Sequence, residues 1–474
     1  FAPFAKAGGL GEVIIGLSRE LRRLDIDVEV ILPKYSFIDP RKLEGLTLEV
    51  ADFKCIEKGN AHANAMWKAS YEGIPLHLLE VRHSSGYFHR DHIYGYEDDA
   101  ARFLYFSKAA LEFLKLTSKP IDILHVHDWH TAGAAILAKD LFHIPIKAIV
   151  LTVHNGEYQG KCASWDLDAI GLNGKEYLHA DKLQDNDPAH PKLINLLKGG
   201  IVYADMVNTV SPSYAKEILT EEFGFGLDPT FRKYKTKLRG ILNGLDLTLW
   251  NPSYSAQTPF SKIESAKKSA KESLQKEFGL KSNGLPWVGA ITRIATQKGP
   301  QLLEDALNYT LEAGGTFLLL GSCPDPKLRA KLEKAHKKHQ ATGRLLMCLK
   351  YDEELARPIY QALDFLIIPS LYEPCGLTQM IAMRYGTIPI VRATGGLKDT
   401  VFDSDDLHIP AGQKNGFIFA NYSTASMQGA LNRAISTFRN NPEKIETLIH
   451  NGMKIDWSWT KPAQSYLEMY QGAV

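Results

Sequence analysis

At 474 residues the chain is too long for one hydrophobic core, and ordinary domain sizes make two domains the expectation. Its 45% hydrophobic and 23% charged residues fit a globular protein, and a formal charge of +1 gives no overall field to recruit nucleic acid or an anionic membrane. Cys55, Cys162, Cys323, Cys348 and Cys375 are scattered and form no CxxC pair, which excludes an obvious disulfide framework and suits a reducing compartment.

No apolar run reaches membrane-spanning length, so a soluble, intracellular protein is expected. The chain opens on Phe1-Ala2-Pro3-Phe4, without a methionine, and runs straight into a glycine turn. It reads as a trimmed sequence. From there short β-rich runs alternate with amphipathic helical stretches, the pattern of α/β parallel sheets covered by helices. A helix is expected from about Glu12 to Leu24, and strands at Val28–Leu32, Ile123–Val126, Lys147–Val153, Met206–Val210 and Leu238–Leu242. The segment Asp181–Pro191 reads as a mobile loop. The polar, proline-bearing stretch Asn251–Pro259 is a linker, followed by a charged, exposed helix over Lys262–Phe278. Strands are then expected at Pro286–Ile291, Thr316–Leu320, Leu345–Leu349, Phe365–Pro369 and Ile388–Val391, so both halves read as doubly wound units.

Ligands of such sheets bind beyond the carboxyl ends of the strands, where the unusual clusters of this chain fall. Lys6-Ala7-Gly8-Gly9-Leu10-Gly11 precedes the first helix and offers a cation and close backbone approach to an anion, or merely a strand-to-helix turn. A nicotinamide fingerprint fails there, because Ile14 stands where the third glycine belongs. His125-Val126-His127-Asp128-Trp129-His130 resembles a metal site superficially. In a continuing strand, however, His127 and Asp128 point to opposite faces, so we expect no metal, sugar-facing roles for Asp128 and Trp129, and structural histidines otherwise. Leu151-Thr152-Val153-His154-Asn155 likewise ends an apolar strand in polar residues.

In the second half, Thr292-Arg293-Ile294-Ala295-Thr296-Gln297-Lys298-Gly299 places two cations beside a glycine before a helix, which suits a diphosphate. Ser370-Leu371-Tyr372-Glu373-Pro374-Cys375-Gly376-Leu377-Thr378-Gln379-Met380 puts one carboxylate and a glycine turn at a helix start, a geometry for sugar hydroxyls beside phosphate. Arg392-Ala393-Thr394-Gly395-Gly396-Leu397-Lys398-Asp399-Thr400 either starts the next helix or lines the same cleft.

In this order the clusters, with Asn243-Gly244-Leu245-Asp246, resemble the glycogen and starch synthases that use ADP-glucose, over essentially the whole chain. Tyr351-Asp352-Glu353, Gln379 to Gly386 and the tail from Asp456-Trp457-Ser458-Trp459 to Tyr470 resemble most the plant-type soluble starch synthases III and IV and related bacterial enzymes. The resemblance implies a GT-B fold, two Rossmann-like domains facing an interdomain cleft. It divides the chain into an acceptor-side domain over residues 1–255, an ADP-glucose-binding domain over 256–455, and a helix over 456–474 that returns to the N-terminal domain.

It further implies a retaining glucosyltransferase extending the non-reducing 4-hydroxyl of an α-1,4-glucan or maltooligosaccharide. Arg293 and Lys298 would neutralise the diphosphate and Glu373 would bind glucose hydroxyls. Cys375, Gly376, Leu377 and Thr378 would line the donor, the last three through backbone donors, and Tyr351 would stack near adenine. Lys6, Gly8 and Gly9 would approach phosphate or sugar; Tyr96, Asp128, Trp129, Asn155 and Asn243 would line the glucose and acceptor region; the His154 backbone carbonyl would face the reacting carbon. No cofactor, metal, nucleic acid or membrane is implied. Many retaining GT-B enzymes carry a second glutamate eight positions after the first, where this chain has Ile381, as the ADP-glucose branch does. A different donor or acceptor (UDP-glucose, sucrose or trehalose type) and an inactive glucan-binding scaffold are the rival readings. The expected compartment is the bacterial cytoplasm, with the plastid stroma open because the sequence is trimmed. The sequence does not fix oligomeric state, or glycogen against starch as product.

Overall fold

The computed structural model describes residues 1–474 except Ala7, Ser282 and Tyr351. The chain divides into two units, Phe1–Gly244 with Trp459–Val474, and Leu245–Ser458. The break lies ahead of the proline-bearing stretch expected to hold it near residue 255, and the tail joins the first unit from Trp459 rather than from Asp456. At the two crossing points Leu245 N–H donates to Trp457 O at 2.7 Å.

In the first unit, β1 (Val30–Pro33) pairs in parallel with β4 (Ile74–Val81), which continues antiparallel through β3 (Asn60–Tyr71) to β2 (Glu44–Glu57). A separate parallel sheet has the order β10 (Leu238–Gly240), β9 (Met206–Thr209), β6 (Ile146–Val153), β5 (Ile121–His127), and β7 (Lys161–Ala163) and β8 (Leu193–Asn195) form a small antiparallel ribbon. The sequence reading missed β2, β3, β4, β7 and β8. Most of β2 is exposed, so it lacks an apolar run, and only its end alternates, with Phe53, Cys55 and Glu57 turned inward. The segment read as a mobile loop is held by Asp185, whose carboxylate accepts from Lys161 Nζ at 3.0 Å and Asn195 Nδ2 at 2.8 Å.

The helix Gly9–Arg23 buries Val13, Leu17 and Leu21, one helical stripe, against Trp459, Ala463, Tyr466, Met469 and Tyr470 of the tail. Gly16 permits this approach: a Cβ there would stand 2.1 Å from Trp459 Nε1.

The second unit is one parallel sheet of order β13 (Leu345–Cys348), β12 (Thr316–Leu320), β11 (Trp287–Ile291), β14 (Phe365–Ile368), β15 (Ile388–Arg392), β16 (Phe417–Phe419). β11, β12, β14 and β15 are buried along their whole length, which is why they read as continuous apolar runs. The helix Phe260–Phe278 is not simply exposed, since Ile263, Lys267, Ala270 and Leu274 form a buried stripe. No helix among the described residues is long and apolar enough to cross a membrane.

Candidate active site

In the second unit β11 and β14 are parallel neighbours, so the loops after Ile291 and Ile368 leave the same sheet edge. Leu371 N–H donates to Gln297 O at 2.8 Å, and Gln297 Nε2 donates to Tyr372 O at 3.2 Å, tying one loop to the other. Gly299 turns with φ +65°, and a Cβ there would stand 2.2 Å from Pro369 O, so only glycine lets the loops meet this closely.

The result is a pair: Lys298 Nζ lies 2.5 Å from Glu373 Oε2, which also accepts from Ser370 Oγ at 2.9 Å. Glu373 is 4% exposed, and a carboxylate so buried is held by this cation and hydroxyl together. Arg293, on the same loop as Lys298, is exposed. Cys375 is buried, while Gly376, Leu377 and Thr378 are half-buried at the start of the helix Thr378–Arg384, which no side chain caps among the described residues. Gln379 sets that turn from behind, its Nε2 donating to Gly376 O at 2.9 Å and Thr400 Oγ1 at 3.1 Å. Gly396 N–H donates to Glu373 O at 3.0 Å, so the second glycine turn supports the backbone of this loop. Arg392 donates to Ser370 O and Leu371 O. Tyr351 lies outside the described residues.

In the first unit β5 and β6 end side by side, with His127 opposite Thr152. The chain leaves β5 at Asp128, which takes φ +54° and opens the helix Asp128–Leu137. The expectation that His127 and Asp128 diverge as strand neighbours therefore does not apply, because the strand ends between them. Asp128 is 8% exposed and its Oδ1 accepts from His154 N–H at 2.7 Å and Asn155 N–H at 3.4 Å. Burial pushes its carboxyl up to about 7, against the pull of those amides. His154 Nε2 lies 3.1 Å from His127 Nδ1. Burial pushes His127 down to about 3 and His125 and His154 well below their ordinary value, so all three rings are neutral near pH 7.

Lys6 Nζ pairs with Glu12 Oε1 at 2.6 Å, beside exposed Gly8 and Gly9 at a helix start that no side chain caps among the described residues. Asn155 Oδ1 accepts from Glu157 N–H at 3.0 Å, and Tyr96 is half-buried under the guanidinium groups of Arg90 and Arg102. Asn243 is buried and, among the described residues, its Oδ1 has no hydrogen-bond partner. Trp129 departs from expectation. It is a core residue, stacked on His130 at 4.1 Å and pressed by Gly160, so it has no free ring to offer a sugar.

Among the described residues, the side chains that converge like metal ligands are Glu57, His62 and His83, in the β2–β4 region. His83 Nδ1 accepts from Ser85 N–H at 3.1 Å, which leaves its proton on Nε2, 2.9 Å from Glu57 Oε2. A hydrogen bond accounts for that pair, and the ring as placed presents no lone pair to a metal.

Residues 1–233 match the starch synthase catalytic domain family and residues 285–437 match glycosyl transferases group 1. The glycogen synthase of Protochlamydia amoebophila (strain UWE25) is 42% identical over 99% of this chain and 97% of its own length. The chain belongs to the glycogen and starch synthase family. It also matches the probable starch synthase 4, chloroplastic/amyloplastic, of Arabidopsis thaliana at 42% identity, covering all of this chain but 46% of that protein. The catalytic domain of starch synthase IV from Arabidopsis thaliana, solved bound to ADP and acarbose, superposes with a TM-score of 0.94 at 40% identity, covering 100% of this chain and 97% of that one. The fold is thus GT-B, and as a glycogen and starch synthase family member the protein is a retaining glycosyltransferase.

Proposed function

We propose that the protein transfers glucose from ADP-glucose to the non-reducing 4-hydroxyl of an α-1,4-glucan, with retention, releasing ADP. The observation that carries this reading is the Lys298–Glu373 pair, a buried carboxylate and an ammonium on adjoining loops, with Arg293 on the same loop as Lys298 and the helix Thr378–Arg384 starting just after Glu373. Such a set has donors for a diphosphate and an acceptor for sugar hydroxyls. Kinship supports it: relatives named glycogen synthase and starch synthase align over the whole chain, and a structural neighbour holds ADP and acarbose.

The bond from the anomeric carbon to phosphate oxygen breaks, the glucan 4-oxygen bonds to that carbon on the same face, and the acceptor proton passes to the departing phosphate. Negative charge grows on ADP, so Arg293 and Lys298 are worth several kcal/mol (~3–4) in the transition state. Glu373 anchors the glucose: Oε2 is held by Lys298 and Ser370, leaving Oε1 to accept from sugar hydroxyls. Gly376, Leu377 and Thr378 supply backbone donors. Lys6, Gly8 and Gly9 approach phosphate or sugar, while Tyr96, Asn155 and Asn243 take the acceptor side.

Asp128 is not a nucleophile in this scheme, since its carboxylate already holds the amides of His154 and Asn155 and thereby aims the His154 carbonyl at the electron-poor carbon. The two cations do the work a metal would do at the diphosphate, so no cofactor enters the scheme and a chelator should leave the rate unchanged. The cytoplasm is the compartment we assign, in keeping with five free cysteines. Incubation with radiolabelled ADP-glucose or UDP-glucose and glycogen or maltooligosaccharides tests the reading. Label should enter the glucan from ADP-glucose, and no transfer from that donor would overturn the assignment.

A further inference from the structure

The geometry points to His127 as the positioning residue that fixes the tautomer and plane of His154. The link to turnover rests on the function proposed above; the lock itself does not. His154 is gripped twice, by its backbone N–H on Asp128 Oδ1 at 2.7 Å and by its ring Nε2, 3.1 Å from His127 Nδ1. Two neutral imidazoles facing each other at this distance hold one proton between the facing nitrogens, so one donates and the other accepts. The tautomers of His127 and His154 are therefore coupled, since when one ring donates the other must accept. Adjacent residues at the end of β5 thus hold ring and amide together, and the direction of the His154 carbonyl follows.

His127 is itself braced. Its backbone N–H donates to Thr131 Oγ1 at 2.6 Å, and its ring packs on that of His125 at 4.1 Å with a 33° tilt. His125 is fixed at both nitrogens, Nδ1 to Tyr470 OH and Nε2 to Thr152 Oγ1, each at 2.8 Å. One turn earlier on the tail helix Thr460–Gln471, Tyr466 OH accepts from Asn208 Nδ2 of β9 at 2.8 Å. Two tyrosine hydroxyls on one helix face thus reach β5, which carries His125 and His127, and β9 of the same sheet, and the tail helix forms part of the foundation of this half-site.

Asparagine places an amide near the position of imidazole Nδ1, whereas glutamine places it near Nε2, so the pair separates a specific hydrogen bond from mere bulk. His127→Asn should keep kcat within about 3-fold of the parent, while His127→Gln and His127→Leu lose about 10- to 100-fold with unchanged KM for ADP-glucose, as expected for a small misplacement near the reacting atoms. Selectively ¹⁵N-labelled histidine should report a single His154 tautomer in the parent protein and in His127→Asn, and a mixture in His127→Gln. Equal kcat for the Asn and Gln variants at equal melting temperature, or a tautomer mixture in the parent, would overturn the inference. Should the leucine variant fail to fold, the Asn and Gln pair still decides. Should the parent transfer nothing from ADP-glucose, the proposed function falls while the nitrogen shifts still decide the lock.

Discussion

Glu373 and Asp128 are both buried carboxylates, and their neighbours give them opposite characters. Glu373 sits against the Lys298 amine and the Ser370 hydroxyl, which hold one of its oxygens in place. Glu373→Ala should lower turnover by about 10²-fold or more, the scale of losing a contact made at the reacting sugar. The fold should survive, because Lys298 is only half-buried and can rehydrate; unchanged circular dichroism beside lost activity checks this. Asp128 has only two amides against its burial and is pushed up to about 7. Its native value lies above the unfolded one, so the folded state binds the extra proton between about 4 and 7 and stability falls as pH rises through that window. Asp128→Asn removes this dependence. Denaturation midpoints at pH 5 and pH 8 should differ less in the variant than in the parent. The identities of these residues were legible because they follow strands and flank glycines. Their pairings were not, since Lys298 with Glu373 and His127 with His154 join positions far apart in sequence, which only strand order brings together.

At the scale of elements, the second unit was readable because its parallel strands are buried on both faces and stand out as apolar runs between helices. β2 and β3 were not, because partly exposed antiparallel strands leave a mixed polar pattern, and β4, though largely buried, has its apolar run broken by Pro75 and His77. The helix Phe260–Phe278 shows how a charge count misleads. Its many lysines suggest a solvated rod, yet Lys267 is buried with Nζ donating to Leu363 O at 2.6 Å, Thr387 Oγ1 at 3.1 Å and Gln361 O at 3.2 Å. The amine gathers Gln361 O and Leu363 O at the end of the helix Glu353–Ala362 and the Thr387 hydroxyl just before β15, which itself donates to Leu363 O at 2.7 Å. Lys267→Met keeps the packing stem but removes these buried hydrogen bonds, so it should cost about 1–3 kcal/mol in chemical denaturation, with little change in KM for ADP-glucose.

For the whole molecule, the decisive fact is that the first unit is built from both ends of the sequence. Ala463, Tyr466, Met469 and Tyr470 cover Val13, Leu17 and Leu21, and burial of such side chains is worth about 1.5–3 kcal/mol each for the large ones, a sum comparable with the whole stability of a domain. Deleting residues 460–474 should therefore abolish or strongly lower the calorimetric transition of the first unit while leaving that of Leu245–Ser458 in place. The same layout governs the order of events during synthesis. Leu245–Ser458 is one uninterrupted stretch and can close as soon as it has left the ribosome, whereas the half begun first waits, with an apolar helix face uncovered, until the tail emerges. The half translated second is the half completed first, and the interval between the two is when this chain most needs protection from its neighbours.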